Sequence, residues 1–155
     1  MVRRGRLVLL LAGTFAALSC RTPTQIEIEI MSDLSCDEIV DVSITAGLPS
    51  EVEGAQPTTV TRDCVPVDGG SRIGTLVIAP SGDKESAVGI RVVGAPVPRS
   101  AELCTADNAY EGCIVSRRSL NYVPHAELAL RIDLRRACID VACSPETTCV
   151  QGECK

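Results

Sequence analysis

The stretch Leu128-Ala129-Leu130-Arg131-Ile132-Asp133-Leu134-Arg135 decides how the chain is read. Leu128, Leu130, Ile132 and Leu134 fall on one side; Ala129, Arg131, Asp133 and Arg135 fall on the other. Side chains alternate across a strand with period two, so this segment is a strand with one buried and one solvated face. A helix groups positions three and four apart and would scatter the same leucines round its axis.

The alternation recurs upstream. Ile26, Ile28 and Ile30 alternate with Glu27 and Glu29, and Val40, Val42 and Ile44 with Asp41 and Ser43. Val88, Ile90 and Val92 alternate too, with Arg91 turned outward. Thr58 to Val65 is a β-prone run, Ile73 to Ala79 is apolar on both faces and reads as a central strand, and Ile114 to Tyr122 is a strand that Pro124 ends. Turn signals separate these runs: Ser32-Asp33, Gly47-Leu48-Pro49, the loop Pro49 to Pro57, Asp68-Gly69-Gly70, Pro80-Ser81-Gly82-Asp83 and Gly94 to Pro98. Roughly seven short strands with Gly/Pro turns predict an all-β fold, an antiparallel β-sandwich with a disulfide-rich C-terminal tail. It resembles the immunoglobulin-like class in architecture only, because the buried tryptophan of that class is missing here.

The compartment is read from the other end. Arg3, Arg4 and Arg6 precede an apolar run, Leu7 to Leu18, closed by small Ser19, the layout of a secretory signal. The run falls short of the about 20 apolar residues a membrane span needs, so it is expected to be removed. Ala17-Leu18-Ser19-Cys20 resembles the lipobox of bacterial lipoproteins. The resemblance implies a diacylglycerol on the Cys20 thiol, cleavage before it and an acylated new amino terminus. Ala17 stands where that family has leucine, and Ala17-x-Ser19 also suits the general signal peptidase, so an ordinary secretory signal is the competing reading. The absence of Asp after the cysteine implies, by the same resemblance, the outer membrane. One acyl chain anchors marginally, whereas two or more hold stably. The expected organisation is a signal peptide over 1–19, a lipid-anchored tether over 20–24, a β-sandwich over 25–137 and a Cys-rich tail over 138–155.

Removing Arg3, Arg4 and Arg6 from the 15 basic residues leaves 12 against 20 acidic ones, a net charge near −8. That argues against nucleic acid, whose binding needs basic clusters to neutralise phosphate. It also argues against electrostatic attraction to anionic lipid. Plain solubility is the simplest reason for the acidity. Without the leader's Phe15, Tyr110 and Tyr122 are the remaining aromatics, so the core is built from Val, Ile, Leu and Ala. Such side chains bury less area each than aromatics do, and crosslinks are a fitting compensation.

With Cys20 set aside, eight of the nine cysteines remain, and an even set in an exported chain reads as a disulfide framework. The tail CIDVACSPETTCVQGECK has the spacing C-x4-C-x5-C-x4-C, with little apolar to pack, and depends on crosslinks for its order. Its spacing, and Gly152 near Cys154, resemble the first half of an EGF-like module, and it is also similar to short Cys-rich ends of exported bacterial surface proteins. The EGF-like resemblance implies Cys138–Cys149 and Cys143–Cys154. The other four cysteines are then read as Cys36–Cys64 and Cys104–Cys113; the sequence alone allows other pairings.

Little catalytic chemistry is visible. Zinc in the tail is disfavoured because structural zinc sites use closer C-x2–4-C pairs and an oxidising compartment consumes thiolates. Thiol–disulfide catalysis normally shows C-x-x-C, which is absent. His125, the single histidine, sits beside Pro124 at a strand entrance and reads as an exposed turn residue. No G-x-S-x-G, Ser-x-x-Lys, H-E-x-x-H or phosphate-cradling loop occurs. Glu51 and Glu53 are the residue type of a glycosidase pair, but they read as solvated loop residues without aromatic sugar platforms. Asp107, Asn108 and Glu111 in the Cys104–Cys113 loop offer oxygen ligands without the spacing of an EF-hand, which leaves calcium open. That loop, carrying Tyr110, is the first choice for a contact surface, because tyrosine gives large contact area at low entropic cost. The expectation is therefore a lipid-anchored envelope protein with a non-enzymatic binding or structural role, without cofactor, engaging an envelope or extracellular protein or glycan. A secreted or periplasmic inhibitor or accessory domain, and a hydrolase with an unrecognised site, are the alternatives.

Overall fold

The computed structural model describes residues 21–155; the leader and the lipobox at Cys20 lie outside the described residues. The strands are β1 (Gln25–Ser32), β2 (Ile39–Gly47), β3 (Thr59–Thr61), β4 (Val65–Val67), β5 (Gly70–Ile78), β6 (Ala87–Pro96), β7 (Ile114–Asn121), β8 (Glu127–Leu134), β9 (Cys149–Val150) and β10 (Glu153–Cys154). They form two four-stranded sheets, in the orders β4-β5-β1-β8 and β3-β2-β6-β7, and a small β9-β10 hairpin. Among the described residues no helix is long and apolar enough to cross a membrane.

Period-two patterning builds the core between the sheets. Ile26, Ile28, Ile30, Ile132 and Leu134 from one sheet meet Val42, Ile44, Ile90, Val92 and Ile114 from the other, all buried. Each such side chain contributes about 1.5–3 kcal/mol on burial. The sandwich is antiparallel throughout except for one pair: β1 and β8 run parallel, Ile28 opposite Leu130. These strands come from opposite ends of the chain with no hairpin between them, so no turn dictates their relative direction.

Three expectations are corrected. The run Thr58 to Val65 is not one strand. β3 pairs with β2 in one sheet and β4 with β5 in the other, and the chain changes sheets at residues 62–64. Nor is β5 buried on both faces: Val77 is 51 % exposed. Its neighbour β4 covers only Gly70 to Arg72, and among the described residues the outer main-chain edge of residues 74–78 has no strand partner. Finally, the outer face of β2 and β6 is not solvated. Asp41, Ser43, Thr45 and Arg91 are buried, because the loops over residues 48–57 and 99–113 fold back across it. A second apolar cluster forms there, from Val93, Ala95, Ala101, Cys104, Tyr110, Cys113 and Val115. Asp41 is satisfied by that loop: its carboxylate accepts from the Ala101 N–H at 2.7 Å and the Ser100 hydroxyl at 3.2 Å.

The eight described cysteines form four bridges, Cys36–Cys64, Cys104–Cys113, Cys138–Cys149 and Cys143–Cys154, the same pairs as named above. The tail does more than prolong β8. Cys138 and Cys149 are buried in the main core, and Ile139 and Val141 pack against it. Its main chain and side chains also bond to β7 and the loop before it: Asp140 N–H to the Cys113 carbonyl at 3.2 Å, and Arg117 N–H to Thr148 Oγ1 at 2.9 Å.

Candidate functional site

Arg91 on β6 and Arg117 on β7 stand directly opposite each other across the sheet. Like charges in that position repel. The two loops that cover the face resolve this. The loop after β2 brings down Glu53, and the loop closed by Cys104–Cys113 brings down Tyr110. Arg117 grips the Glu53 carboxylate bidentately, Nη2 to Oε1 at 2.7 Å and Nε to Oε2 at 3.0 Å. The Tyr110 hydroxyl donates to Glu53 Oε1 at 2.8 Å and accepts from Arg91 Nη1 at 3.0 Å. Arg91 also donates to the carbonyls of Glu53 and of Ala55 (2.9 Å) and to Thr45 Oγ1 at 3.2 Å. Both guanidiniums lie near the Tyr110 ring, at 5.9 Å for Arg91 and 5.3 Å for Arg117, a distance at which cation–π attraction acts. Arg91 is 7 % exposed, and its Nε has no partner among the described residues.

The electrostatics follow from this geometry. Hydrogen bonds from Arg117 hold the Glu53 carboxyl below its ordinary range, against the opposing effect of burial. Burial, then the hydrogen bond to Glu53, pushes the Tyr110 phenol up. Burial alone would lower the Arg117 pKa, but Glu53 more than reverses that. General acid catalysis wants a carboxyl raised toward neutrality, and Glu53 moves the other way. The arrangement is an electrostatic clasp that fastens two loops to a sheet.

The residues read from the sequence are placed as follows. Tyr110 is 8 % exposed, so its ring faces the sheet and is not the contact surface expected of it. Ala109 and Tyr110 both take left-handed backbone, φ 53° and 57°, which turns the loop tip back onto the sheet. Asn108 is exposed but spent on the loop itself: Oδ1 accepts from the N–H groups of Thr105 and Tyr110, both at 3.1 Å, and Nδ2 donates to the Leu103 carbonyl at 2.6 Å. Asp107 is exposed, and Glu111, also exposed, meets Arg99 at 3.5 Å. Among the described residues no three His, Cys, Asp or Glu side chains converge as a metal site would need. Glu51 is exposed, as expected; Glu53 is not a solvated loop residue, since it is drawn under by Arg117. His125 is exposed, and its main-chain N–H donates to Thr24 Oγ1 at 2.9 Å.

Sequence reading missed Arg91 and Arg117 as a pair. The available signal was Arg91 itself, the one charged side chain between Val88 and Ala95. Concavities of ≈ 430, ≈ 320 and ≈ 230 Å³ share Glu53 in their walls. A groove of ≈ 350 Å³ opens where β3 and β5 diverge, with Ile30, Ile44 and Ile73 among its lining. Comparison with protein-family models, with curated proteins and with solved structures finds no match for the chain.

Proposed function

We propose that this is an exported, lipid-anchored protein of the cell envelope, held at the outer membrane through Cys20, with a non-enzymatic binding or structural role. The observation that carries the reading is the bridging of every cysteine among the described residues, eight in four pairs. Such bridges persist in oxidising compartments and are rare where thiols are kept reduced. Nine cysteines occur in the chain, so Cys20 stands alone outside the framework. That supports reading Ala17-Leu18-Ser19-Cys20 as a lipobox. The clasp of Glu53 with Arg117 and Tyr110 gives that carboxylate a structural role, fastening two loops to the sheet.

The test is metabolic labelling with palmitate in a bacterial host, with and without globomycin. Label on the wild type, none on Cys20→Ser, and an uncleaved precursor under globomycin are expected. An unlabelled wild-type protein released in soluble form overturns the anchor.

A further inference from the structure

The edge of a sheet is a row of main-chain N–H and C=O groups that another strand could join, and folded proteins blunt such edges with short strands, proline, charge or cover. Three of the four sheet edges carry such a device. β3 is 3 residues long. β8 carries Glu127, Arg131 and Asp133 on its outer face. β7 is covered by the tail, whose Thr148 hydroxyl accepts from the Arg117 N–H. At the fourth edge β4 is short and contains Pro66, but it covers only Gly70 to Arg72. Beyond it, Gly74-Thr75-Leu76-Val77-Ile78 has no charge and no proline, and among the described residues its main chain pairs with β1 alone.

That open stretch borders two apolar hollows. Leu76 and Ile78 stand opposite Ile28 and Ile26 and so point inward, yet each is only half-buried. Leu76, with Ile44 of β2, borders the groove of ≈ 350 Å³. Ile78, with Ala46 of β2, borders a second hollow of ≈ 380 Å³, whose wall includes Val88 and Tyr122. From one hollow to the next the step is two residues on both strands. An extended chain repeats its side chains on one face at that same interval, about 7 Å. A strand laid along β5 would bond to its free main-chain groups and place alternate side chains in the two hollows.

The outer face sets the positions between. Thr75 and Val77 point outward, beside Glu29 and Glu27 of β1. Glu29 is engaged by Arg72 at 3.3 Å, while among the described residues no ion pair involves Glu27. A lysine or arginine next to Val77 lays its stem on that exposed side chain and carries its charge toward Glu27. We propose that residues 74–78 are a strand-addition site for an extended segment of a partner protein, apolar at alternate positions and basic at those between. A second copy of this acidic chain is the poorer occupant, since its own Thr75 and Val77 bring no cation to Glu27. The inference rests on the binding role proposed above and not on the lipid anchor.

The probe is a short synthetic peptide alternating Lys with Val. Its controls are the isomer with all its valines in one block and the analogue with Glu in place of Lys. Hydrogen exchange of the purified, processed protein is read by mass over residues 74–78, with and without each peptide. The alternating lysine peptide is expected to slow exchange there about tenfold or more, and neither control to do so. Glu27→Gln weakens its binding about two- to fivefold, and Val77→Lys, at an exposed position, weakens it further. Equal protection by a control, protection confined to other segments, or binding unchanged by Val77→Lys overturns the site and leaves a binding role standing. No protection by any peptide overturns the site outright, and none of these results touches the acylation test. Protection of residues 74–78 that rises with protein concentration, without peptide, overturns the proposed partner in favour of a second copy.

Discussion

Replacing Glu53 with Gln removes the carboxylate that pairs with Arg117 and accepts from Tyr110, close to buried Arg91, while keeping the shape of the side chain. The side chains of Arg117 and Glu53 are 10 % and 24 % exposed, and Arg91 is 7 % exposed. Breaking a fully buried ion pair by deleting one partner costs about 3–5 kcal/mol. Glu53 keeps some access to water, so about 2–3 kcal/mol is expected here. With a urea m-value of about 1.5–2 kcal/mol/M, that lowers the midpoint of non-reducing unfolding at pH 7 by about 1–2 M. Tyr110→Phe loses one donor and one acceptor and costs about 1 kcal/mol, and the double variant costs less than the two changes added together because the residues touch.

The effect depends on pH with a definite sign. The folded-state pKa of Glu53 lies below its ordinary 4.5, so its contribution is present above the unfolded value and is lost as pH falls through the folded one. The gap between wild type and Glu53→Gln therefore narrows below about pH 4.5. Glu38, held at about 2 by hydrogen bonds from Arg136 and Ser35, adds the same acid slope to both proteins. A midpoint unchanged within about 0.3 M at pH 7, or a gap that widens in acid, refutes the clasp.

Three further outcomes are expected. Removing Cys36–Cys64, which closes a separation of 28, costs about 3.6 kcal/mol in the chain-entropy model, against about 2.6 kcal/mol for Cys104–Cys113 with its separation of 9; paired Cys→Ala variants in urea check the order. Under graded dithiothreitol, peptide mapping finds Cys143–Cys154 opened before Cys138–Cys149, because Cys154 is exposed whereas Cys138 and Cys149 are buried. Gly89→Ala is destabilised by about 1–3 kcal/mol, since a Cβ there meets the Pro49 main chain at 2.8 Å, while Gly47→Ala, with nothing within 4 Å, is neutral or slightly stabilised in thermal melts.

How much of this was legible in the sequence differs by element, for physical reasons. β1 and β8 were readable because one face of each meets the core and the other meets water, so their alternation is strict. β2 and β6 were readable as strands, but the fate of their outer faces was not. Asp41 and Arg91 are polar whether their partner is water or a loop, and here the loops supply it: Ser100 and Ala101 for Asp41, the Glu53 and Ala55 carbonyls for Arg91. The direction of β1 against β8 was likewise invisible, since Ile28 faces Leu130 with matching apolar faces in either sense. Tyr110 reads from the sequence as a contact residue, yet two left-handed residues fold its ring inward, a conformation that Ala109 does not announce. Glu53 lay hidden in a Gly/Pro-rich loop, because an ion pair across 64 residues leaves no local periodicity.

The proposed export precedes crosslinking, and one measurement reaches both. Protein extracted from cell envelopes is alkylated in denaturant without reduction, digested and mapped by mass. The expected map has linked peptides for Cys36–Cys64, Cys104–Cys113, Cys138–Cys149 and Cys143–Cys154, and an amino-terminal peptide starting at an acylated Cys20. Alkylated thiols at those eight positions, on a chain that still carries residues 1–19, contradict it.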